Sequence, residues 1–282
     1  MTTGCGCEDQ DDKRMEDPVM YTNIEFNLLP DGVATVAIMR PHVLNAIDDA
    51  TVVELMDLFE RVAADDSIRA LVFGSGSRGF CAGSDLDEAI EATPELHLYH
   101  WDIGQKMLRM LEDLPIPVVA AISGYAMGGG AEIALACDLR VASEDAKVGF
   151  PEVTIGGIPS WGGTQRLPKV VGQGNALELL LSGVPADARR AYEMGLFNRV
   201  VATGTELSAA VEWATLIAGR TPMALRAGKN LVRASAGVDR EVGEVLEINW
   251  NVRCVAQPEF QERVGRFLAK RQRRSASDDS VR

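Results

Sequence analysis

The stretch from Gly124 to Leu167 constrains the fold of this chain more than any other. An apolar run, Pro117–Ile122, leads into it and is followed by Gly128-Gly129-Gly130 and then by a short apolar segment, Ala131–Cys137. Such a pattern is typical of a buried strand that feeds a buried helix through glycine. Glycine lets the backbone approach a ligand closely, and a helix N-terminus presents free N–H groups and a positive dipole end. The sequence therefore predicts a site that stabilises developing negative charge.

Two glutamates belong to the same stretch. Glu132 falls in the first turn of the predicted helix, three residues after Gly129, so we expect its carboxylate to face whatever these amides bind. Glu152 follows Pro151 and opens a second glycine-rich segment, Gly156–Gly163. Each feature has a structural alternative, because glycines often serve close helix–sheet packing and first-turn acids often only complement the helix dipole. Together, the two carboxylates are candidates for acid–base work.

Local patterns elsewhere predict ordinary elements. The runs on either side of Pro30-Asp31-Gly32 predict a β-hairpin, and Asp48 or Asp49 is placed to cap the helix that follows. His100 lies in a long predicted helix, Glu95–Leu114, without a companion motif. We therefore interpret it as a surface or core residue without a chemical role.

Three ordered segments carry a resemblance to a known family. They are GYAMGGGAEIALACDLRVAS with FPEVTIGGIP and GGTQRL, then GFCAGSDLDE from Gly79 to Glu88, and RPHVLNAID from Arg40 to Asp48. Together they resemble the enoyl-CoA hydratase/isomerase (crotonase) superfamily, and most of all an enoyl-CoA hydratase, over the residues from Tyr21 to Arg274. The resemblance implies an α/β fold, with a crotonase-like spiral core of repeated ββα units and a C-terminal all-helical oligomerisation region.

Length and composition agree with one substantial domain and a smaller appendage. The chain has 282 residues, of which 46% are hydrophobic and 24% are charged, as in globular proteins. From about residue 206 the pattern becomes wholly helical. We expect a disordered acidic tail at 1–19, a core with the active site at 20–205, a helical C-terminal region at 206–275 and a disordered tail at 276–282.

Charge and cysteine content restrict the partners. With 28 basic and 41 acidic side chains the net charge is −13, which disfavours nucleic acid. The first residues lack the cationic and apolar segments of a targeting signal, and the longest uncharged run, Leu114–Ala131, contains two prolines. The five scattered cysteines and three histidines offer no zinc-type spacing. We expect a cytoplasmic protein without a membrane, nucleic-acid or metal partner.

The resemblance also implies a catalytic site for a coenzyme A thioester. Family members hold the thioester oxygen with two backbone N–H groups, and these positions correspond to Ser84 and Gly129. Hydratases of the family have glutamates at the positions of Glu132 and Glu152, where a base activates water and an acid protonates the α-carbon. Ser84 stands where alanine is common, but a backbone donor does not depend on its side chain.

Further positions correspond to the family's substrate-binding segments. Leu44 and Ala46 correspond to the backbone that lines the pantetheine channel. The segment beside the nucleotide corresponds to Ala82, Ser84, Asp85, Leu86 and Asp87. Asp87 replaces a lysine that is common there and would repel phosphate, so Arg40, Arg78 or a basic residue near Lys270 from another subunit is expected to compensate. Trp161 replaces a smaller residue and either narrows the acyl pocket or packs between subunits.

The expected function is reversible addition of water to a trans-2-enoyl-CoA, giving a 3-hydroxyacyl-CoA, as in fatty-acid β-oxidation. It requires no metal or redox cofactor, and the expected partners are the acyl-CoA thioester and further copies of the chain in a homotrimer or homohexamer. The alternatives are a crotonase-type isomerase or acyl-CoA hydrolase, and a non-catalytic RNA-binding or scaffold relative. Acyl length, branching and pathway stay open.

Overall fold

The computed structural model of the chain describes residues 20–75 and 79–279, with all of their side chains except those of 89, 91 and 272–279. The predicted tail at 1–19 and Arg78 therefore lie outside the described residues. The chain divides into two compact units, Met1–Thr215 and Leu216–Arg282. The boundary that we predicted at 205/206 lies at the start of a helix, Glu206–Ala218, most of which belongs to the first unit.

Within its described residues the first unit has two sheets. The larger has the strand order β1-β2-β3-β4-β6-β9 and the smaller β5-β7-β8. The strands are β1 Ile24–Leu28, β2 Val33–Ile38, β3 Ala70–Ser75, β4 Val118–Ile122, β5 Tyr125–Met127, β6 Leu139–Ser143, β7 Lys147–Gly149, β8 Ala186–Asp187 and β9 Arg199–Val201.

The larger sheet explains the apolar runs in the sequence. β1 and β2 pair antiparallel, which confirms the predicted hairpin, and β2, β3, β4, β6 and β9 pair in parallel. All five residues of β4 are buried, as expected for a parallel strand that is covered on both faces. The core beside this sheet contains the buried aromatic side chains of Phe59, Phe73 and Phe80.

Helices cover this sheet. Asp48 caps the first helix, Asp49–Ala64, through its carboxylate, which accepts a hydrogen bond of 2.8 Å from the Thr51 amide, an interaction worth about 1 kcal/mol. None of the described helices is both long and apolar enough to cross a membrane. Those of the first unit are α1 Asp49–Ala64, α2 Leu86–Glu91, α3 Pro94–Asp113, α4 Gly129–Ala136, α5 Gly163–Ser182, α6 Ala188–Glu193 and α7 Glu206–Ala218, whose last residues belong to the second unit.

The central stretch folds as strand, glycine turn and helix. After β4, the chain forms the short β5 and then turns at Gly128, whose φ of 50° and ψ of −120° disfavour any residue with a Cβ. α4 begins at Gly129, two residues before the predicted start, and all eight of its residues are buried. Glu132 therefore lies in its first turn, as predicted.

The second unit consists of helices, as the sequence predicts. They are α8 Pro222–Ala234, α9 Arg240–Val255 and α10 Pro258–Asp279. The last helix continues four residues beyond the predicted end at 275. Among the described residues of this unit only Ala218 and Ala227 are buried, while Val245, Ile248 and Phe267 are 58%, 65% and 67% exposed. This unit thus presents a large apolar surface.

Candidate active site

A cleft of about 390 Å³ opens in the first unit where the central stretch meets two other loops. Its walls are the loop before α1, residues 82–87, the turn into α4 and the short 3₁₀ segment Pro151–Ile155. Ser84, Gly129, Glu132 and Glu152 all line it. The structure therefore brings together the four residues that the sequence indicated for chemistry.

Two glycine turns place a pair of amides at one end of the cleft. Gly83 has a φ of +112°, and a Cβ on it would lie 3.6 Å from the Gly129 nitrogen. A Cβ on Gly129 would lie 3.6 Å from the Ser84 nitrogen. Within the described chain, neither the Ser84 nor the Gly129 amide donates to a protein acceptor. Two such neighbouring donors suit an oxygen that gains negative charge.

Glu132 is held firmly in the wall of the cleft. Its side chain is 2% exposed, and Oε1 accepts hydrogen bonds from the Trp161 amide at 2.8 Å and the Gly163 amide at 2.6 Å. Burial raises its pKa to about 7, and the nearby Glu152 adds to the rise, although the two amides and Arg166 oppose it. The carboxyl group is therefore poised between its two protonation states near neutral pH.

Glu152 has different surroundings. It begins the 3₁₀ segment after Pro151, is partly buried, and has a pKa raised by this burial. A Cβ on Gly128 would lie 2.9 Å from its Oε1. Oε2 is buried and has no hydrogen-bond partner among the described residues. Because an unpaired buried polar atom costs about 1–3 kcal/mol, this oxygen is a ready partner for a ligand or water.

His100 also lies at this site, and sequence reasoning missed it. Its Nδ1 is 2.5 Å from Asp49 Oδ1, its Nε2 is 3.3 Å from Ser84 Oγ, and its ring packs against Trp161 with centroids 5.1 Å apart. The sequence predicts for His100 a surface or core position without a chemical role, and the structure adds polar contacts at both of its ring nitrogens. No local spacing joins Asp49 on α1, Ser84 in its loop and His100 on α3, so no sequence motif points to them.

Most of the predicted coenzyme A segment lines the cleft, but Leu44 does not. The cleft contacts Ala46, Ala82, Ser84, Asp85, Leu86 and Asp87. Leu44 has a φ of 54°, which turns its side chain outward to 60% exposure. Its carbonyl accepts a hydrogen bond of 3.1 Å from the Ala82 amide, and Val43 lines the cleft in its place.

The sequence predicts that Trp161 either narrows the acyl pocket or packs between subunits, and the structure shows neither arrangement. Its side chain is 1% exposed within this chain, so it does not pack between subunits, and it is absent from the cleft wall. The indole lies under the turn into α4, where a Cβ on Gly129 would be 2.9 Å from its Cζ3, and against Gly104, where no Cβ fits. Trp161 therefore supports the turn into α4 from beneath.

Arg40 does not compensate for Asp87. Its guanidinium pairs with Asp48 and Asp85, each at 3.0 Å, and donates to the Ala46 carbonyl at 2.6 Å. These contacts join the loop before α1 to the Ser84 loop. Arg40 is thus used within the cleft wall, whereas Asp87 is exposed.

A cluster of possible metal ligands is satisfied internally. One ligand atom each of Asp49, Glu88 and His100 lies within 4.8 Å of the others. However, Asp49 already bonds His100, and Glu88 accepts a hydrogen bond of 3.2 Å from the Asp49 amide. The contacts within this cluster account for its arrangement without an ion.

The Ser84 loop also contains a buried thiol. Cys81 is fully buried, and burial raises its pKa to about 12. Its Sγ accepts a hydrogen bond of 3.4 Å from the Gly83 amide, and its own amide donates to the Tyr125 carbonyl at 2.9 Å. The thiol therefore packs within the Ser84 loop as a structural group.

Comparison with known proteins agrees with this geometry. Residues 29–276 match the family model described as enoyl-CoA hydratase/isomerase. The chain is 34% identical over 240 residues to the short-chain-enoyl-CoA hydratase of Clostridium acetobutylicum, with 85% of this chain and 92% of that protein covered. It is 34% identical over 244 residues to the crotonyl-CoA hydratase of Syntrophomonas wolfei, with 86% and 93% covered.

A solved structure shows the same fold. The crystal structure of an enoyl-CoA hydratase from Bacillus anthracis matches with a TM-score of 0.86 and 32% identity, over 88% of this chain and 97% of that one. The predicted crotonase-like α/β fold with a helical C-terminal region is therefore confirmed. By the family match and by these relatives, the chain belongs to the enoyl-CoA hydratase/isomerase family.

Proposed function

We propose that the protein is an enoyl-CoA hydratase that adds water reversibly to a trans-2-enoyl-CoA to give a 3-hydroxyacyl-CoA. The observation that carries this proposal is the pair of carboxylates, Glu132 and Glu152, in one cleft with the neighbouring amides of Ser84 and Gly129. The similarity to proteins named short-chain-enoyl-CoA hydratase and crotonyl-CoA hydratase supports the same reaction.

The two amides stabilise the enolate. In this mechanism the thioester oxygen accepts hydrogen bonds from Ser84 and Gly129, and the N-terminus of α4 adds the positive end of its dipole. Negative charge accumulates on that oxygen when water attacks the β-carbon. Because the donors are fixed before the reaction, each is worth about 10²–10³-fold in rate.

The two glutamates divide the proton transfers. Ionised Glu132, which two amides orient, takes a proton from the attacking water, whose oxygen bonds to the β-carbon. Protonated Glu152 donates its proton to the α-carbon as the enolate collapses. Burial raises the pKa of both groups, and Glu152 adds to the rise for Glu132, so each carboxyl group is better suited to exchange a proton near neutral pH. The net change is one added water, so we propose that no metal or redox cofactor takes part.

We propose that Ala46, Ala82 and Ser84–Asp87 line the path of coenzyme A, because these residues bound the cleft next to the amides. Asp87 requires a cation near the phosphates. Lys270 from a neighbouring subunit is our candidate, since its side chain is exposed. Lys270→Ala is expected to raise KM for acyl-CoA about tenfold with little change in kcat, a split that steady-state kinetics measures directly.

We further propose that the helical region assembles the chain into a homotrimer or homohexamer. The exposed apolar side chains of α9 and α10 support this, because contiguous apolar surface of this kind marks interfaces. Deleting Asp239–Arg282 is expected to abolish the oligomer, which size-exclusion chromatography with light scattering detects. A truncated chain that still forms particles with the same number of chains as the full chain would contradict this proposal.

A cytoplasmic location also remains our proposal. It is supported by the buried thiol of Cys81, since a reducing compartment keeps cysteines in the thiol form. Imaging of a tagged full-length chain in its native cell tests it.

One panel of substrates tests the reaction. The protein is mixed with short, medium and branched trans-2-enoyl-CoAs, and loss of the conjugated-thioester absorbance is followed. Mass spectrometry identifies the products: a gain of one water supports hydration, a shifted double bond indicates isomerisation, and free coenzyme A indicates hydrolysis. Absence of hydration across the whole panel would overturn the proposal, and salt-dependent RNA binding without turnover would favour the non-catalytic alternative.

A further inference from the structure

We propose that Ser84, His100 and Asp49 form a nucleophilic triad that hydrolyses acyl-CoA thioesters through an acyl-serine intermediate. Ser84 Oγ lies 3.3 Å from His100 Nε2, and His100 Nδ1 lies 2.5 Å from Asp49 Oδ1. The three side chains thus form one continuous chain of contacts from the cleft to the start of α1. Hydration as proposed above uses none of these side chains.

The contacts fix the role of each nitrogen of His100. A carboxylate only accepts, so Nδ1 carries the proton that it donates to Asp49. In the neutral ring, Nε2 then has a free lone pair, and it faces the Ser84 hydroxyl. This is the arrangement in which an imidazole activates a serine as general base, with the carboxylate holding the ring.

The ring has little freedom to leave this position. The side chain of His100 is 14% exposed, and its ring packs against Trp161, which is itself buried. α1 and α3 pack against each other and position Asp49 and His100. The 3.3 Å distance is slightly long for a catalytic hydrogen bond, which is usual before substrate binds.

The oxyanion donors serve this serine as well. In chymotrypsin-like serine proteases one of the two donors is the amide of the nucleophilic serine itself, which places its hydroxyl beside the carbonyl carbon. Here Ser84 contributes both a cleft-lining amide and a hydroxyl, and Gly129 supplies the second donor. A thioester bound by these amides therefore presents its carbonyl carbon to Oγ.

The reaction balances with water as the co-reactant. Ser84 Oγ bonds to the carbonyl carbon while its proton passes to His100 Nε2. The C–S bond then breaks, and coenzyme A leaves with that proton as its thiol. Water next attacks the acyl-serine ester, His100 takes one of its protons, and the ester C–O bond breaks. Ser84 recovers the proton, and a free carboxylic acid leaves.

This inference rests on the proposed function only for thioester binding at the two amides. Asp49 is a positioning residue, because it acts through His100, whereas Ser84 and His100 act on the reacting atoms. A saturated substrate separates the two activities, since butanoyl-CoA has no double bond and cannot be hydrated. Any coenzyme A that it releases comes from cleavage of the thioester.

The test on the unaltered protein uses butanoyl-CoA. Coenzyme A release is followed with a thiol reagent, and the protein is quenched in acid for intact-mass and peptide mass spectrometry. We expect turnover with an initial burst and a butanoyl adduct on Ser84. Turnover without any adduct on Ser84 under single-turnover conditions, or no turnover at all, would overturn the triad.

The variants use a matched pair of histidines on α3. His100→Gln is expected to slow acylation by about 10²–10⁴-fold, the usual contribution of one general base. His97→Gln is the control, because His97 is one turn away, partly buried and stacked on Trp101 instead. Ser84→Ala is expected to remove the adduct while keeping the backbone donor. Equal slowing by both histidine variants would overturn the assignment.

Two further measurements complete the design. Asp49→Asn is expected to lower kcat of hydrolysis about 10²–10⁴-fold with KM for butanoyl-CoA unchanged, a split that a merely structural role of Asp49 would not give. Hydration of a trans-2-enoyl-CoA is measured on the same wild-type sample. Hydration without hydrolysis refutes the triad alone, and hydrolysis without hydration refutes the proposed function alone. Hydrolysis that depends on Glu152 but not on His100 also overturns the triad.

Discussion

The two carboxylates of the cleft lie in opposite kinds of environment. Glu132, on α4, is almost fully buried and bonded by two backbone amides of the segment at 161–163. Glu152, on the 3₁₀ segment, is partly buried and keeps one oxygen without a protein partner. Burial raises the pKa of both, but two amides hold Oε1 of Glu132 in place, whereas the buried Oε2 of Glu152 has no partner among the described residues. The difference indicates that backbone amides fix the orientation of the Glu132 carboxylate, whereas no described hydrogen bond fixes Oε2 of Glu152.

Replacing either carboxylate is expected to give the largest effect. Glu132→Gln and Glu152→Gln each preserve shape, and each should lower kcat of hydration by about 10²–10⁴-fold with a much smaller change in affinity. The losses should be non-additive in the double variant, because both groups serve one reaction coordinate. Steady-state kinetics on one enoyl-CoA measures all three variants.

The control for these variants is Glu95→Gln, since Glu95 is an exposed acid outside the cleft. Nearly full activity in Glu132→Gln would show that this carboxylate only complements the dipole of α4. The activity would then resemble that of an isomerase with a single acid.

Exchange of substrate α-hydrogens with solvent deuterium should distinguish the roles of Glu132 and Glu152. If Glu152 alone transfers the α-proton, Glu132→Gln should still exchange the α-hydrogens of a saturated acyl-CoA with deuterium, whereas Glu152→Gln should not. Proton NMR of the thioester in heavy water follows the exchange. Equal exchange in both variants would show that the glutamates share the α-proton.

A somewhat smaller effect is expected from a substitution in the turn into α4. In Gly129→Ala the new Cβ would lie 2.9 Å from Trp161 Cζ3, so the amide must shift, and loss of one oxyanion donor costs about 10²–10³-fold in kcat. Trp161→Leu makes room beneath the turn. If the cause is steric, the double variant Gly129→Ala/Trp161→Leu should have a higher kcat than the product of the two single effects predicts. Strictly additive effects would contradict the steric cause.

The smallest effect concerns stability and its dependence on pH. The pKa of Glu132 rises from 4.5 to about 7 on folding, so between these pH values the native state binds more protons than the unfolded state. Stability should therefore fall as pH rises through this window, by about 3 kcal/mol at about 1.4 kcal/mol per pKa unit. Glu132→Gln has no ionisable group at this position, so its free energy of unfolding should not fall in this way. The difference in free energy of unfolding between Glu132→Gln and wild type should therefore grow in favour of the variant, by the same amount of about 3 kcal/mol, as pH rises.

Urea unfolding at pH 4.5 and pH 8, at one protein concentration, measures the difference. Glu152→Gln is the comparison, because its carboxyl group is less buried and should show a weaker dependence. A flat difference between Glu132→Gln and wild type across this range would show that the native pKa of Glu132 is not raised.

Sequence reasoning succeeded where local signals determine structure. The hairpin at Pro30-Asp31-Gly32, the cap at Asp48 and the place of Glu132 in the first turn of α4 depend on neighbours within a few residues. The family resemblance added Ser84 and Gly129, and the structure places both in the same cleft. Their roles there stay predictions until the variants are measured.

The features that sequence reasoning missed depend on tertiary contacts that no local pattern encodes. Leu44 is turned outward by a left-handed backbone that also lets the buried side chain of Asn45 hold the neighbouring loop. α5 runs from Gly163 through Pro168 and a non-helical Gly172, residues that on their own indicate helix ends. The contacts of His100 with residues 16 and 51 positions away arise only when α1 and α3 pack.

The buried thiol of Cys81 can report on opening of the Ser84 loop without an added label. Because the pKa of Cys81 is about 12, almost no thiolate exists at neutral pH, and alkylating agents reach the sulfur only when the loop opens. Cys254, which is less buried, is expected to react sooner and to provide an internal reference. The labelling rate of Cys81 should therefore report how often the Ser84 loop opens. A thioester bound to both the Ser84 and the Gly129 amides should lower this rate.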